Sequence, residues 1–362
     1  MKRAVIVNAK RTAIGKKGGM LKGVSPEDLA AAVIEELTRD FEFHVDDILL
    51  GNAVGPGGNV GRLSSLASGN SAPGVTIDRQ CGSGLETIRL ACHLIQGGAG
   101  DVFIAGGVES TSQSSFEKRA RFSPESIGDP DMGEAADHTA EMYGITRERQ
   151  DDYALLTYQR ALHAQGNGYF REEIVHSTKL PRNDESLNPK LNYKRMLQRL
   201  SPCFTERGTV TMGNCCGIND GAAAVLVMSE EKAEELGFQP VLRFVDSAVT
   251  SVDPNHPITG AVSSISSILS KNGLTTEDID LLELNEAFAA KAVLVSEELS
   301  IPYNKINTEG GAIALGHPYG ASGAILVTRL FHKLKRSCSS AYSLSTIGLG
   351  GGMGVSLLWE VL

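Results

Sequence analysis

The chain has 362 residues, of which 41% are apolar and 21% are charged, a composition typical of a globular protein with one large domain or a few smaller ones. Its 34 lysines and arginines against 43 aspartates and glutamates give a net charge of −9, which argues against a general binder of nucleic acids or anionic membranes. No apolar run approaches the ~20 residues of a membrane span, and the first residues lack the pattern of a signal peptide. These features predict a cytoplasmic protein without nucleic-acid or membrane partners.

The predicted elements repeat along the chain. A β-branched strand at residues 3–10 returns in similar form at residues 242–249. The glycine-containing loop 81–84 opens a predicted helix, and the loop 320–323 opens a similar one at the same spacing. A buried strand that runs into glycines follows each helix. Three matches in register predict two copies of one α/β unit, in which helices cover mixed sheets.

A polar segment of different character, residues 113–207, separates the two copies. It contains helical periodicity over residues 147–165 and is interpreted as a loop domain inserted in the first copy. The predicted domains are therefore 1–112 with 208–236, 113–207, and 237–362. Loops on a rigid scaffold often carry substrate binding. The segment contains two basic patches, residues 118–121 and 194–195. Each is equally consistent with binding of an anionic ligand and with a solvated surface.

The six cysteines show neither paired C-x-x-C spacing nor a metal-binding pattern with histidine. Free thiols in a reducing compartment are therefore expected, with no metal and no other cofactor. Cys81 has the strongest nucleophile context, because it precedes Gly82 at a predicted helix N-terminus. The helix dipole there favours a thiolate and should lower the thiol pKa. The alternative is a buried structural cysteine, the commoner role, and the context of Cys81 leaves both open.

Two further polar positions are candidates for chemistry. His317 lies between Gly316 and Pro318 just before a predicted helix, a constrained setting that favours a general base or oxyanion donor over a core histidine. Asn285 follows a buried strand, where the active-site edge of an α/β protein is expected, although it could also cap a helix. The glycine run 350–354 lacks the residues of a phosphate loop and predicts a hairpin or an oxyanion loop.

Seven segments resemble, in order, the sequence signatures of the thiolase family: residues 78–86, 106–110, 208–214, 217–224, 285–289, 310–323 and 350–354. The resemblance runs from Arg3 to the C-terminus and is strongest to the bacterial acetyl-CoA acetyltransferases of that family. It implies an α/β fold in which two similar βαβαβαββ halves form a layered α/β/α/β/α core with an inserted loop domain. It also implies acyl-CoA and CoA as substrates and partners.

The resemblance further implies roles for single residues. Cys81 matches the nucleophile that carries the acyl group as a thioester, and His317 matches the histidine that takes the thiol proton and then donates to the thioester oxygen. Asn285 matches the asparagine that holds a water in one oxyanion hole, and the N–H groups of Cys81 and Gly350 match the second hole. The residues matched to substrate binding are Met132 of the acyl pocket, Cys216, Ala287, and Phe288 beside the pantetheine tunnel.

The chain departs from the family pattern at Gly348, where thiolases usually carry the cysteine that exchanges the proton of the α-carbon. Glycine has no such proton, and general acid–base groups typically contribute ~10²–10⁴-fold to rate. Carbon–carbon bond chemistry should therefore be impaired unless Cys216, a second role of His317, or a water substitutes. The segment before Met132 has lost most of an excursion that often makes tetramer contacts, which predicts a homodimer. Asp131 replaces a histidine that commonly contacts CoA, which predicts altered CoA binding.

Three functions follow from these observations. The first is a thiolase of the acetyl-CoA C-acetyltransferase type, which condenses or cleaves short 3-oxoacyl-CoA through a thioester on Cys81. The second is an acyltransferase or thioesterase without carbon–carbon chemistry, which needs no base at position 348. The third is a non-catalytic acyl-CoA-binding subunit, which the joint presence of Cys81, His317 and Asn285 disfavours. The first is the function predicted here.

Overall fold

The structure is a computed structural model that describes residues 2–39, 43–114, 119–337 and 342–362. Within these ranges ten strands form one mixed sheet: β1 (Ala4–Arg11), β2 (Gly15–Lys16), β3 (Asp47–Gly51), β4 (Gly74–Ile77), β5 (Val102–Ser110), β6 (Asn219–Ser229), β7 (Leu242–Ser251), β8 (Ile279–Leu284), β9 (Tyr342–Leu349) and β10 (Met353–Val361). The α-helices are α1 (Pro26–Thr38), α2 (Val60–Ala67), α3 (Ser83–Gln96), α4 (Met132–Met142), α5 (Arg147–Gly166), α6 (Tyr193–Leu197), α7 (Glu230–Glu235), α8 (Gly260–Asn272), α9 (Ala289–Glu298), α10 (Ala312–Leu315) and α11 (Tyr319–Arg336).

The strand order confirms the predicted duplication. The sheet runs β4-β3-β5-β6-β1-β7-β10-β9-β8, so β3-β5-β6-β1 of the first half is matched by β8-β9-β10-β7 of the second. Each matched set of four strands has one parallel pair, β3 with β5 or β8 with β9, followed by two antiparallel pairs. In the first half β4 adds a second parallel pair with β3 at the edge of the sheet. The halves join where Val5 and Ile6 of β1 lie opposite Arg243 and Leu242 of β7.

The strands have two buried faces because helices cover both sides of the sheet. Along β1, Val5 and Val7 belong to one apolar cluster with α1, whereas Ala4 and Ile6 belong to another with α3 and α11. This alternation is the period-two pattern of a strand between two helical layers. On the second half, α8 packs against β7, β9 and β10. Helices α3 and α11 contact strands of both halves and so form a middle layer between the two half-sheets, with α1 outside the first half and α8 outside the second. The layered α/β/α/β/α arrangement expected from the sequence is therefore confirmed.

Helices α3 and α11 of the middle layer cross with their backbones in contact. A Cβ at Gly84 would lie 2.7 Å from the carbonyl oxygen of Gly320, and one at Gly323 would overlap the backbone of Leu85. Only glycine permits such an approach at these positions. Because each helix begins directly after a candidate catalytic loop, the crossing brings the Cys81 and His317 loops together.

The polar segment between the halves forms α4, α5 and α6, and α5 matches the predicted helical periodicity. A buried ion cluster fastens this segment to the first strand: Arg11 on β1 lies 2.6 Å from a Glu173 oxygen and 2.7 Å from an Asp184 oxygen, with all three side chains almost fully buried. A buried cation with two carboxylates and good geometry is strongly destabilised by the loss of either partner. Among the described residues, no helix is both long enough and apolar enough to cross a membrane.

We expect Gly323→Ala to lower the free energy of unfolding by roughly 1–3 kcal/mol, because the new methyl group overpacks the α3–α11 crossing. Gly166→Ala on α5 is the matched control, since a Cβ there would have no atom within 4 Å. It should leave stability unchanged or raise it slightly. Urea unfolding followed by circular dichroism measures both changes, and equal stability of the two variants would contradict the close crossing.

Candidate active site

Cys81 lies in a tight turn directly before α3. The Ser83 hydroxyl donates to the carbonyl oxygen of Gln80 at 2.6 Å and accepts from the backbone N–H of Arg79 at 2.8 Å. Gln80 has a φ of 50°, in the left-handed region that non-glycine residues rarely adopt. Such strained residues persist where the surroundings fix them and cluster at functional sites. The turn therefore holds Cys81, a half-buried residue, in one place at the start of the helix.

The expectation of a lowered thiol pKa at Cys81 is wrong. Burial raises the pKa of Cys81 to about 12, and the nearby positive charge of Lys291 offsets only part of that effect. Desolvation of the charged form outweighs the helix N-terminus because the sulfur has lost most of its contact with water. The resting group is thus a thiol, and the thiolate forms only as a proton acceptor removes its proton.

His317 is held by contacts from both halves of the chain. Its backbone N–H donates to Asn219 Oδ1 at 3.0 Å, and Gly316, with a φ of 119°, packs so tightly on the same asparagine that no Cβ would fit. Its Nδ1 lies 2.6 Å from Ser322 Oγ and 3.1 Å from Asn285 Nδ2. The serine hydroxyl can accept from Nδ1–H or donate to a bare Nδ1, so the ring can take either tautomer. These contacts leave Nε2 for chemistry.

The imidazole of His317 is neutral at physiological pH. Burial lowers its pKa to about 3, and the charge of Lys291 acts in the same direction. The ring is therefore too weak a base to hold the Cys81 proton at rest, and proton transfer has to accompany attack on a substrate. A neutral imidazole can also donate a hydrogen bond from Nε2 to a developing oxyanion.

Asn285 is positioned at the end of β8 and does not cap a helix. Its backbone N–H donates to the carbonyl oxygen of Thr346 at 3.0 Å, continuing the ladder with β9, and the next helix starts only at Ala289. One amide atom faces His317, while Oδ1 is buried without a protein partner among the described residues. A buried unpartnered oxygen suits a water or substrate group, since such atoms are costly to leave unbonded.

Two buried carboxylates to which the sequence analysis assigned no role of their own hold the site together. Glu286 anchors the Asn285 segment to the inserted segment by accepting hydrogen bonds from Tyr153, Thr157, Asn307 and the backbone of Ile313. Glu109 joins the halves, because it accepts from Ala53 and Val54 of the first half and from Gly320 at the start of α11. Burial raises the pKa of Glu109 to about 7. Glu109 is a charged residue within the otherwise apolar run of β5, and this was the signal in the sequence that could have identified it.

Cys216, Ala287 and Phe288 lie on one pair of adjoining segments. The backbone N–H of Cys216 donates to the carbonyl oxygen of Ala287 at 2.7 Å, and Cys215 forms a bridge with Phe288. Ala287 has a φ of 25°, a second strained position in the site. Burial raises the pKa of the Cys216 thiol well above its usual value, and Cys215 and Cys81 raise it further, while the charge of Lys291 acts in the opposite direction. Cys216 is thus close enough to Cys81 for their charges to interact.

Apolar side chains form one wall near these segments. The Phe288 ring makes an edge contact with Phe204 at 6.2 Å between centroids, and Phe204 packs over Gly133 at the start of α4. Met132, the first residue of that helix, packs partly buried against the core. Phe204 is 39% exposed and carried no signal in the sequence.

Gly350 occupies a hairpin, as one of its two interpretations predicted. Leu349 and Met353 pair across the turn, and the base of the hairpin meets the Cys81 turn, since a Cβ at Gly82 would lie 3.0 Å from Leu349 Cδ2. The Phe122 ring lies over Gly350, where a Cβ would come within 2.8 Å of it. The hairpin therefore adjoins the candidate nucleophile, with the inserted segment packed on its outer side.

The described part of the basic patch at residues 118–121 contributes little free positive charge. Lys118 lies outside the described residues, Arg119 pairs with Asp129 and Asp131, and Arg121 pairs with Glu125. The negative charge of Asp131 is thus paired with the guanidinium of Arg119. The solvated-surface interpretation fits residues 119–121 better than an anion site. In the ranges that the structure describes, no cluster of three or more His, Cys, Asp or Glu side chains could hold a metal ion.

A buried lysine is the clearest residue that the sequence analysis overlooked. Lys291 on α9 has no exposed surface, and its Nζ donates to the carbonyl oxygen of Gly348 at 2.9 Å. Burial lowers its pKa to about 8, while the thiols of Cys81 and Cys216 act in the opposite direction. A lysine six residues after Asn285, within the otherwise apolar run 289–295, was the signal in the sequence.

We expect alkylation of Cys81 by iodoacetamide to accelerate steadily between about pH 6 and about pH 10, because the thiol pKa near 12 keeps the thiolate fraction rising throughout. Mass spectrometry of the Cys81 peptide measures the rate, and the exposed Cys203 in the same sample is the internal reference. A rate that levels off below about pH 8 would show that the helix N-terminus prevails over burial.

Comparison with known proteins agrees with this geometry. The family model described as "Thiolase, N-terminal domain" matches residues 4–231, and that described as "Thiolase, C-terminal domain" matches residues 238–361. Two relatives are each named "Putative acetyl-CoA C-acetyltransferase": YhfS of Bacillus subtilis strain 168, 55% identical, and VraB of Staphylococcus epidermidis, 44% identical, each covering 99% of both chains. The crystal structure of the Bacillus anthracis acetyl-CoA acetyltransferase superposes with a TM-score of 0.92 at 37% identity, covering 100% of this chain and 99% of the other.

Proposed function

The chain belongs to the thiolase family, and from that premise we propose that it is an acetyl-CoA C-acetyltransferase that carries an acyl group on Cys81 and condenses or cleaves short 3-oxoacyl-CoA. The observation that carries the proposal is the convergence of Cys81, His317 and Asn285 at the crossing of two helices. A pure binding protein has no need of a thiol, an imidazole and an unpartnered amide oxygen at one point. Coenzyme A and its thioesters are the proposed substrates.

In the proposed first half-reaction, the free Nε2 of His317 acts as the proton acceptor. Cys81 Sγ attacks the acyl carbon of a CoA thioester, and His317 Nε2 takes the thiol proton as the new carbon–sulfur bond forms. The bond to the CoA sulfur then breaks, and the same proton passes to that sulfur. The backbone N–H groups of Cys81 and Gly350 are the proposed donors to the oxyanion in this step.

The second half-reaction needs a different set of donors. An enolate oxygen has to be stabilised while a carbon–carbon bond forms or breaks, and His317 Nε2–H with a water on Asn285 Oδ1 is the proposed pair. Met132 and Phe288 are proposed to border the acyl group and the pantetheine arm, with Cys216 and Ala287 beside the thioester. The absence of a side chain at Gly348 is the observation that favours the alternative function, acyl transfer without carbon–carbon chemistry.

Cleavage of acetoacetyl-CoA by CoA distinguishes the two functions. We expect turnover in the wild-type protein and a loss of roughly 10³-fold or more in Cys81→Ala, because removal of the nucleophile abolishes the covalent route. Cys203→Ala, which changes an exposed cysteine, is the matched control and should retain activity. Acetyl-CoA production is measured by chromatography, and acetylation of Cys81 by intact mass.

Acetylated Cys81 without any cleavage would favour the acyltransferase or thioesterase alternative. A protein that is neither acetylated nor active would contradict the enzymatic proposal as a whole.

We also propose that the protein is a homodimer. In the described part of the chain, β4 is an edge strand with β3 as its only sheet neighbour. Val75 on this strand is 39% exposed, and Leu63 and Leu66 on the adjacent α2 are 50% and 55% exposed. An apolar edge of this kind is a site for pairing with a second chain.

Val75→Lys should convert the dimer into a monomer, because a charge on the edge strand opposes pairing. Light scattering after size exclusion measures the mass relative to the 38.4 kDa chain. Met142→Lys on α4, at a position that is 59% exposed, is the control and should remain dimeric. A wild-type monomer, or a dimer that survives Val75→Lys, would contradict this interface.

A further inference from the structure

Lys291 is a buried cation without a compensating anion. It makes no ion pair with any described residue, and the hydrogen bond of its side chain goes to the carbonyl oxygen of Gly348. Lysines are almost never fully buried unless they are paired with an acid. Burying an unpaired ammonium is costly enough that the group tends to lose its proton instead. A lysine that is buried without an acidic partner is therefore a candidate for a functional role.

The end of β8 explains why the amine can reach this carbonyl. The backbone N–H of Asn285 donates to the carbonyl oxygen of Thr346, and β8 stops there. Carbonyls alternate along a strand, so that of Gly348, two residues on, points to the same edge, where β8 no longer provides an N–H. Lys291 Nζ supplies the missing donor from α9. The amine thus enters the site through the opening beyond the β8 terminus.

The groups that face the amine are the reacting groups of the proposed mechanism. The titratable neighbours that interact with its charge are the thiols of Cys81 and Cys216 and the imidazole of His317. The amine therefore lies in the same cluster as the nucleophile. It also lies against the one residue, Gly348, whose missing side chain leaves the α-carbon proton without a partner.

We propose that Lys291 is the acid–base residue that moves the proton of the substrate α-carbon, in the role that Gly348 cannot fill. This inference rests on the proposed thiolase function and completes its second half-reaction. The neutral amine is the base for condensation, and the ammonium is the acid for cleavage.

The proton and electron pairs balance in the condensation direction. Nζ of Lys291 takes a proton from the methyl group of acetyl-CoA, and the electron pair of the broken C–H bond forms the enolate. The enolate carbon bonds to the acetyl carbon on Cys81, and the carbon–sulfur bond breaks with its pair left on Sγ. The ammonium then returns its proton to Sγ, which restores the thiol and the neutral amine. Cleavage is the reverse sequence.

The alternative candidates fit this step less well. Burial raises the pKa of the Cys216 thiol well above its usual value, and the imidazole of His317, with a pKa of about 3, is a weak base. General bases work best with a pKa near the working pH, and that of Lys291 is about 8. A cysteine at position 348 would also be tight, because its Cβ would lie 3.0 Å from the backbone nitrogen of Ala261 on α8.

The test follows two reactions of the same protein, namely acetylation of Cys81 by acetyl-CoA and incorporation of deuterium into the methyl group of acetyl-CoA in heavy water. Lys291→Gln keeps a hydrogen-bond donor for Gly348 but cannot exchange a proton at this pH, so it separates positioning from proton transfer. Lys291→Met, of similar volume, removes both. Lys271→Gln, the same change at a surface ion pair on α8, is the matched control.

We expect both Lys291 variants to retain Cys81 acetylation and to lose deuterium incorporation and acetoacetyl-CoA cleavage by ~10²–10⁴-fold, the range of a general acid–base group. Wild-type incorporation should rise with pH and level off near pH 8, where the amine becomes neutral. This profile tests the inference even if a variant fails to fold. The Lys271→Gln protein should behave as the wild type.

Two results would overturn the inference while leaving the proposed function intact. One is deuterium incorporation by Lys291→Gln at the wild-type rate, and the other is a wild-type profile that stays flat through pH 8. A wild-type protein that acetylates Cys81 but neither incorporates deuterium nor cleaves acetoacetyl-CoA would instead refute the thiolase function, and the inference with it.

Discussion

The contact between the backbones of α3 and α11 is the constraint on which the rest of the site depends. The two helices belong to different halves, and each starts at a catalytic loop, so the distance between the loops is set by how closely the helices cross. Gly84, Gly320 and Gly323 remove the side chains that would hold them apart. Glu109 then binds the start of α11 from the first half. The arrangement of the catalytic groups thus depends on the contact between the two halves.

Much of the fold could be predicted from the sequence because its signals are periodic and local. Two copies of a strand–helix–strand pattern were enough to predict mixed sheets covered by helices. The layered architecture and the joint roles of Cys81, His317 and Asn285 were implied by the resemblance of the ordered motifs to the thiolase family. The ionisation of Cys81 could not be predicted in this way. A helix N-terminus is visible in a sequence, whereas the desolvation that raises the pKa depends on everything packed around the sulfur.

Lys291 shows the other limit of sequence reasoning. The sequence marks the loss at Gly348, because that position lies inside a recognisable motif. The lysine proposed to compensate for this loss lies elsewhere, on a helix that follows a different strand. Only the early end of β8 allows Lys291 to reach Gly348. The anchoring roles of Glu286 and Glu109 could not be predicted for the same reason, since their partners are backbone groups and side chains far away in the chain. Long-range compensation of this kind becomes visible only in three dimensions.

The crossing also explains why a duplicated protein keeps a single nucleophile. In the internal repeat the counterpart of Cys81 is Gly320, and a Cβ there would lie 2.9 Å from the backbone of Asn52 and of Val108. A second cysteine at that point would push the two halves apart and so disrupt the site around Cys81. The two copies therefore cannot be alike at this residue, because the thiol of one copy requires the absence of a side chain in the other.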